Sequence, residues 1–181
     1  MADNPIPSTD LPGVPDCMQR LWTPHRMAYI DAHGHRLDGE PACPFCASPT
    51  RPDPDALIVA RGRTSFVVLN LFPYNPGHLL VCPYRHVAYY TDLSEEEAQE
   101  VGTLTRSAMH TLRRVSSPDG FNIGINQGSA AGAGIAEHFH QHVVPRWSGD
   151  ANFFPIIAQT KALPQLLSQT RDLIAEQWGD T

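Results

Sequence analysis

The sequence predicts an α+β domain, with a five-stranded antiparallel sheet and two main helices. Three observations predict it. Five short apolar runs are bounded by turn residues, and the first two lie on either side of Arg61-Gly62-Arg63 as in a hairpin. Two longer segments place apolar residues at helical spacing. The last strand-like run carries His138, His140 and His142 at alternate positions, which is the period of a strand. Strands joined by hairpins, with few helices between them, imply an antiparallel sheet.

Residues 1–15 are rich in Pro, Asp and Ser and read as a loose tail, leaving 16–181 as one domain. A short helix is expected over 21–30. Residues 33–56 hold His33, His35, Gly34, Gly39 and several prolines, and read as irregular structure around Cys43 and Cys46. Strands are expected at Leu57–Ala60 and Thr64–Asn70. A Pro- and Gly-marked loop follows at Phe72–Gly77, then a third strand at His78–Pro83. Ser94 with Glu97 forms a capping box, and Ala98, Val101, Leu104, Ala108 and Leu112 recur at helical spacing behind it. Pro118-Asp119-Gly120 ends that helix. Phe121–Asn126 is the fourth strand, Gly128–Gly134 a loop of small residues, and the histidine run the fifth strand. Pro164 can start a last helix, with Leu166, Leu167, Leu173, Ile174 and Trp178 available for packing. The sequence contains no internal repeat.

Composition removes several classes of function. The 181 residues carry a formal net charge of -6, which gives no basic footprint for nucleic acid. A phosphate substrate stays compatible, because a small pocket can be locally positive in an acidic protein. No apolar run approaches the roughly 18 residues of a membrane span. Residues 1–15 lack a basic stretch followed by an apolar core, so cytoplasm is the expected location. In that reducing compartment the four cysteines are not expected to form disulfides. Cys82 lies in an apolar strand and reads as a core residue, whereas Cys17 is isolated.

Alternation puts His138, His140 and His142 on one face of their strand, with Phe139, Gln141 and Val143 on the other. Three imidazoles within about 7 Å repel one another when charged, so at least one stays neutral near pH 7. A neutral imidazole is a nucleophile, a base or a metal ligand. The competing reading, a chance surface cluster, fits poorly with the apolar strand formers around the histidines. Cys43-Pro44-Phe45-Cys46 has the spacing at which two thiolates share one Zn²⁺, and two further ligands are needed. His33 and His35 are candidates by nearness in sequence. Unliganded thiols are a second reading. A redox pair is a third, without a thioredoxin-like context.

The run His138-Phe139-His140-Gln141-His142-Val143-Val144 resembles the defining motif of the histidine triad family. The segment from Leu69 to Pro83 resembles that family's nucleoside-binding segment, and Asn126-Gln127-Gly128-Ser129 its phosphate-proximal one. The resemblance covers roughly residues 57–147. Within the family, Leu21-Trp22-Thr23-Pro24, Glu137, the stretch from Arg146 to Phe153 and Pro164-Gln165-Leu166-Leu167 are similar to actinobacterial diadenosine tetraphosphate phosphorylases.

The resemblance implies the histidine triad fold, a homodimer and a nucleotidyl-histidine intermediate. The substrate would be a dinucleotide such as diadenosine tetraphosphate, or a nucleotide conjugate, with phosphate or water as the second nucleophile. It makes His140 the nucleophile, His142 its orienting and charge-stabilising neighbour, and His78 an added histidine beside the triad. It gives Asn70 a ribose contact and Asn126 a phosphate-side role. Gly134 is a further substrate-side residue, at the end of a loop whose small residues let backbone N–H groups approach phosphates, and it also marks a departure. Many relatives carry a serine close before the triad, whereas Ala133-Gly134-Ile135 offers no side-chain donor. In zinc-bearing relatives, histidines matching His86 and His138 complete the Cys43 and Cys46 pair. Two other functions remain open: a biosynthetic enzyme with a recruited triad, and a nucleotide-sensing protein with negligible turnover.

Overall fold

A computed structural model describes residues 43–150 and 165–179. The expected tail at 1–15, the short helix at 21–30, and His33 and His35 lie outside the described residues.

Strands β1 (Ile58–Arg61), β2 (Ser65–Leu69), β3 (Leu79–Pro83), β4 (Gly120–Ile125) and β5 (Gln141–Arg146) form one sheet in the order β1-β2-β3-β5-β4. Every neighbouring pair is antiparallel. The described helices are α1 (Pro44–Ala47), α2 (Glu95–Ser116) and α3 (Leu167–Glu176). The turn α1 falls where irregular structure was expected, because Pro44 at its start presets the helical φ.

All residues of β2 and β3 are buried, so these central strands are covered on both faces. On one face Val67, Leu69, Leu79, Val81 and Val143 pack with Val101, Leu104, Ala108 and Leu112 of α2 and Ile174 of α3. On the other, Phe66, Val68, Leu80 and Cys82 pack with Cys43, Phe45 and Ile58. Of the residues expected to pack, Ile174 is buried in the core with Leu167 and Trp178 against it, whereas Leu166, just before α3, and Leu173 are exposed.

The helix α2 starts where the capping box places it. Ser94 Oγ accepts the Glu97 N–H at 3.2 Å, and the Glu97 carboxylate accepts the Ser94 N–H at 2.8 Å. Ser117, at φ 46°, ends it in the left-handed region. The turn between β2 and β3 needs Gly77. Its φ is +76°, and a Cβ there would stand 3.1 Å from Leu112 Cδ2.

One element is shorter than its sequence pattern. The ladder of β5 begins at Gln141, so His138 and His140 precede it and only His142 lies within it. The Phe139 N–H bonds the Val87 carbonyl at 2.6 Å, outside the sheet. The chain bends at His138, yet the side chains still alternate, with His138 and His140 both against Phe45. Phe139 and Val143 enter the helix-side core, while Gln141 donates to Thr105 Oγ1 of α2 at 2.6 Å.

Candidate active site and metal cluster

His142 stands opposite Leu80 of β3 and Gly124 of β4, in the middle of the sheet. The His140 ring lies 5.1 Å from it, and the His78 ring, entering from the start of β3, also 5.1 Å. Each of these three histidines is at most 9% exposed. Burial lowers the pKa of His140, and burial together with His140 lowers that of His142 to about 4. Both rings are therefore neutral at pH 7.

The hydrogen bonds then fix which nitrogen carries each proton. His140 Nδ1 is 2.8 Å from the His138 carbonyl, which can only accept. The proton sits on Nδ1, and Nε2 holds a free lone pair. His78 Nδ1 accepts the Tyr74 N–H at 3.1 Å, so its proton sits on Nε2. That Nε2 lies 2.9 Å from His142 Nδ1 and donates to it. His142 consequently carries its own proton on Nε2. Asn126 Nδ2 lies 3.5 Å from this Nε2, and turning the amide end over end would bring its oxygen to accept the N–H. The site thus presents a lone pair on His140 beside an N–H on His142.

The other expected substrate residues differ in what they already do. Asn70 Oδ1 accepts the Phe72 N–H at 3.0 Å, and its Nδ2 faces His78 Nδ1 at 3.2 Å. It therefore shapes the turn and supports His78. Gly134 sits half-buried in the loop before the triad, next to Ile135, which packs on the buried side of the sheet. Tyr74 stacks on His142 with ring centres 5.7 Å apart. Gln127 lies in the segment that resembles the family's phosphate-proximal one, without an individual role in the sequence reading. Its Nε2 is buried without a hydrogen-bond partner among the described residues, which suits an amide that meets a ligand oxygen. A single loop amide gives no pattern by which sequence could find it.

Cys43, Cys46, His86 and His138 bring one ligand atom each to within 4.8 Å of one another and could hold a metal ion. His138 Nδ1 lies 3.4 Å from Cys43 Sγ and 3.5 Å from Cys46 Sγ, and His86 Nδ1 lies 3.3 Å from Cys46 Sγ. Tetrahedral Zn²⁺ with ordinary bond lengths puts sulfur and nitrogen about 3.6 Å apart. The set is therefore close to the right size. His138 Nε2 donates to the Pro83 carbonyl at 2.9 Å, which leaves Nδ1 free to ligate and orients the ring. Phe45, on α1 between the two cysteines, packs on both His138 and His140, with ring centres 5.5 and 5.0 Å away. The cluster thus lies directly beside the histidine site.

The chain matches the HIT domain over residues 51–149. It belongs to the histidine triad family. A Mycobacterium tuberculosis relative named AP-4-A phosphorylase is 49% identical over 171 residues, which cover 92% of this chain and 88% of that protein. A relative from Schizosaccharomyces pombe, named bis(5'-nucleosyl)-tetraphosphatase [asymmetrical], is 37% identical over 51% of this chain and 50% of its own. Among solved structures, a Zn-bound histidine triad family protein from Mycobacterium smegmatis superposes with a TM-score of 0.61. It is 28% identical and covers 75% of this chain and 92% of that one.

Proposed function

We propose that this histidine triad protein cleaves diadenosine tetraphosphate or a similar dinucleotide with inorganic phosphate, through a nucleotidyl group carried on His140. The observation that carries the reading is the hydrogen-bond line from the Tyr74 N–H through His78 to His142 Nδ1, beside the His140 Nδ1 contact with the His138 carbonyl, which assigns a lone pair to His140 Nε2 and an N–H to His142 Nε2. A neutral nucleophile avoids the repulsion that the charged polyphosphate exerts on anions.

In the first step His140 Nε2 attacks the α-phosphorus. The N–P bond forms and the bond from that phosphorus to the bridging oxygen breaks. For diadenosine tetraphosphate the leaving group is ATP. His142 Nε2–H is placed to stabilise the charge that develops on the phosphate oxygens. In the second step an oxygen of inorganic phosphate attacks the same phosphorus, the N–P bond breaks, and ADP leaves with His140 neutral again. Asn126, Gly134 and Gln127 would face the phosphates. Asn70 would offer its second N–H and remaining lone pair to the ribose. With water in place of phosphate the product would be AMP, the outcome that the name of the fission-yeast relative favours.

The cysteine–histidine cluster would hold a structural Zn²⁺. Its two sulfur and two nitrogen donors suit that ion, and four protein ligands leave no open position for a substrate. When bound, the ion would supply folding energy and fix the backbone beside His140.

The test is to incubate the purified protein with diadenosine tetraphosphate, with and without phosphate, and resolve the nucleotides. ADP and ATP in equal amounts, only when phosphate is present, are expected. AMP and ATP regardless of phosphate would replace phosphorolysis by hydrolysis, and no turnover in either mixture would overturn the proposal.

A further inference from the structure

Asn75 is the buried corner of the loop that carries Tyr74 and His78, and it lies outside the histidine cluster itself. Its side chain is 8% exposed. Its Nδ2 donates to the Pro145 carbonyl at 3.0 Å and to Asp150 Oδ2 at 2.7 Å, so both amide hydrogens are used. Its own carbonyl accepts the His78 N–H at 3.1 Å. Asp150 is held in turn. It accepts from Arg146 Nε at 2.6 Å, Arg146 Nη2 at 2.9 Å and the Trp147 N–H at 3.2 Å. Arg146 Nη1 reaches Asn122 Oδ1 on β4 at 2.7 Å.

These bonds connect two segments far apart in sequence. One is the β2–β3 loop with His78 at its end. The other is the end of β5, the strand that carries His142. Pairing of β3 with β5 holds the backbones near Leu80 and His142 together, and bonds from Asn70 and Tyr74 to His78 hold the loop to itself. The Asn75 amide ties that loop to the end of β5. We propose that Asn75 is a positioning residue, clamping the 70–78 loop to the end of β5 so that Tyr74 N–H, His78 and His142 stay in one hydrogen-bonded line. This rests on the reading of His142 Nε2–H as the group that faces the phosphates. A buried primary amide suits the task, because it offers two donors in one plane to two fixed acceptors. An aspartate of the same shape would face both acceptors with no donor.

The expected consequence lies in the rate of chemistry and not in binding. A displacement near 1 Å at a catalytic group can lower rate about a hundredfold. Asn75→Asp and Asn75→Ala should each lower kcat by about tenfold to a hundredfold with KM changed less than about threefold. Asp150→Ala, which removes the clamp's anchor from the far side, should move kcat the same way. Imidazole ¹⁵N spectra give a readout that simple loss of stability would not move. Wild type should show His78 as a single Nε2–H tautomer, and the variants a mixture of tautomers for His78 and His142. Should Asn75→Ala fail to fold, Asn75→Asp and Asp150→Ala carry the test. Wild-type kcat in the folded variants would overturn the clamp, as would reduced kcat with unchanged ring spectra. If the wild type turns over no dinucleotide, the functional reading fails, but the ring spectra of the variants still decide whether Asn75 sets the histidine geometry.

Discussion

At His142 the pKa lies well below its ordinary value of 6.5, at about 4, because the ring is buried and His140 stands beside it. The unfolded chain binds a proton there that the folded chain refuses. The stabilising effect is therefore complete above about pH 6.5 and is lost as pH falls towards 4, a swing of up to roughly 3 kcal/mol. Urea unfolding at pH 7 and pH 4.5 should show this loss, and His142→Asn should make the pH dependence shallower. An equally steep dependence in the variant would assign the loss to other groups. On activity, His140→Ala should fall by on the order of a thousandfold or more while still binding nucleotide, and His142→Asn by about a hundredfold. Steady-state kinetics paired with calorimetric titration of a non-cleaved analogue separates the two effects. At this scale the sequence was informative where residue types repeat with a period. The alternate histidines and the Cys43-Pro44-Phe45-Cys46 spacing both led to clusters that the fold assembles. It placed Asn75 and Gln127 inside family-like segments but gave neither a role, because the Asn75 amide acts through Pro145 and Asp150, remote in sequence, and burial of the Gln127 amide is a property of the fold.

Among the elements, α1 has a role out of proportion to its four residues. It carries Phe45 between Cys43 and Cys46, and Phe45 packs on His140. Cys43→Ser should thus lower stability, with a smaller effect on the activity of molecules that stay folded. Thermal unfolding with and without a zinc chelator checks this, alongside zinc content by elemental analysis. No zinc in a carefully purified sample would count against the metal. The start of α2 offers a cleaner comparison. Ser94→Ala removes half of a capping box far from the histidines, and should cost about 1 kcal/mol of stability with kcat unchanged. The capping box, the strand pair around Arg61-Gly62-Arg63 and the helical spacing behind Ser94 were all legible, because each depends on neighbours in sequence. The start of β5 was not. The period-two pattern runs from His138, but the ladder begins only at Gln141, because the Phe139 N–H bonds Val87 and the His138 ring turns to the cysteines.

For the whole molecule, the two sheet edges differ. Strand β1 is partly covered, since Arg171 of α3 donates to the Ile58 carbonyl at 2.7 Å. Among the described residues β4 pairs only with β5, and its Asn122, Ile123 and Gly124 are exposed, Ile123 at 46%. An exposed strand edge with an apolar residue invites pairing with another chain. A homodimer through β4 is therefore expected. Light scattering at micromolar concentration should give twice the 20.0 kDa chain mass, and Ile123→Lys should shift it towards the monomer. A monomer in the wild type would remove that assembly. Among the described residues no helix is long and apolar enough to cross a membrane. The order of strands in the sheet was not legible, because insertion of β5 between β3 and β4 depends on contacts across the whole chain.

The central claim is that His140 takes the nucleotidyl group, and the most direct measurement traps it there. Wild-type protein is mixed with a dinucleotide labelled at the α-phosphate, quenched within milliseconds without acid, digested and mapped by mass spectrometry. A phosphoramidate-linked nucleotide on His140, absent from His140→Ala, is the expected result. Label found reproducibly on another residue, or full activity in His140→Ala, would contradict it.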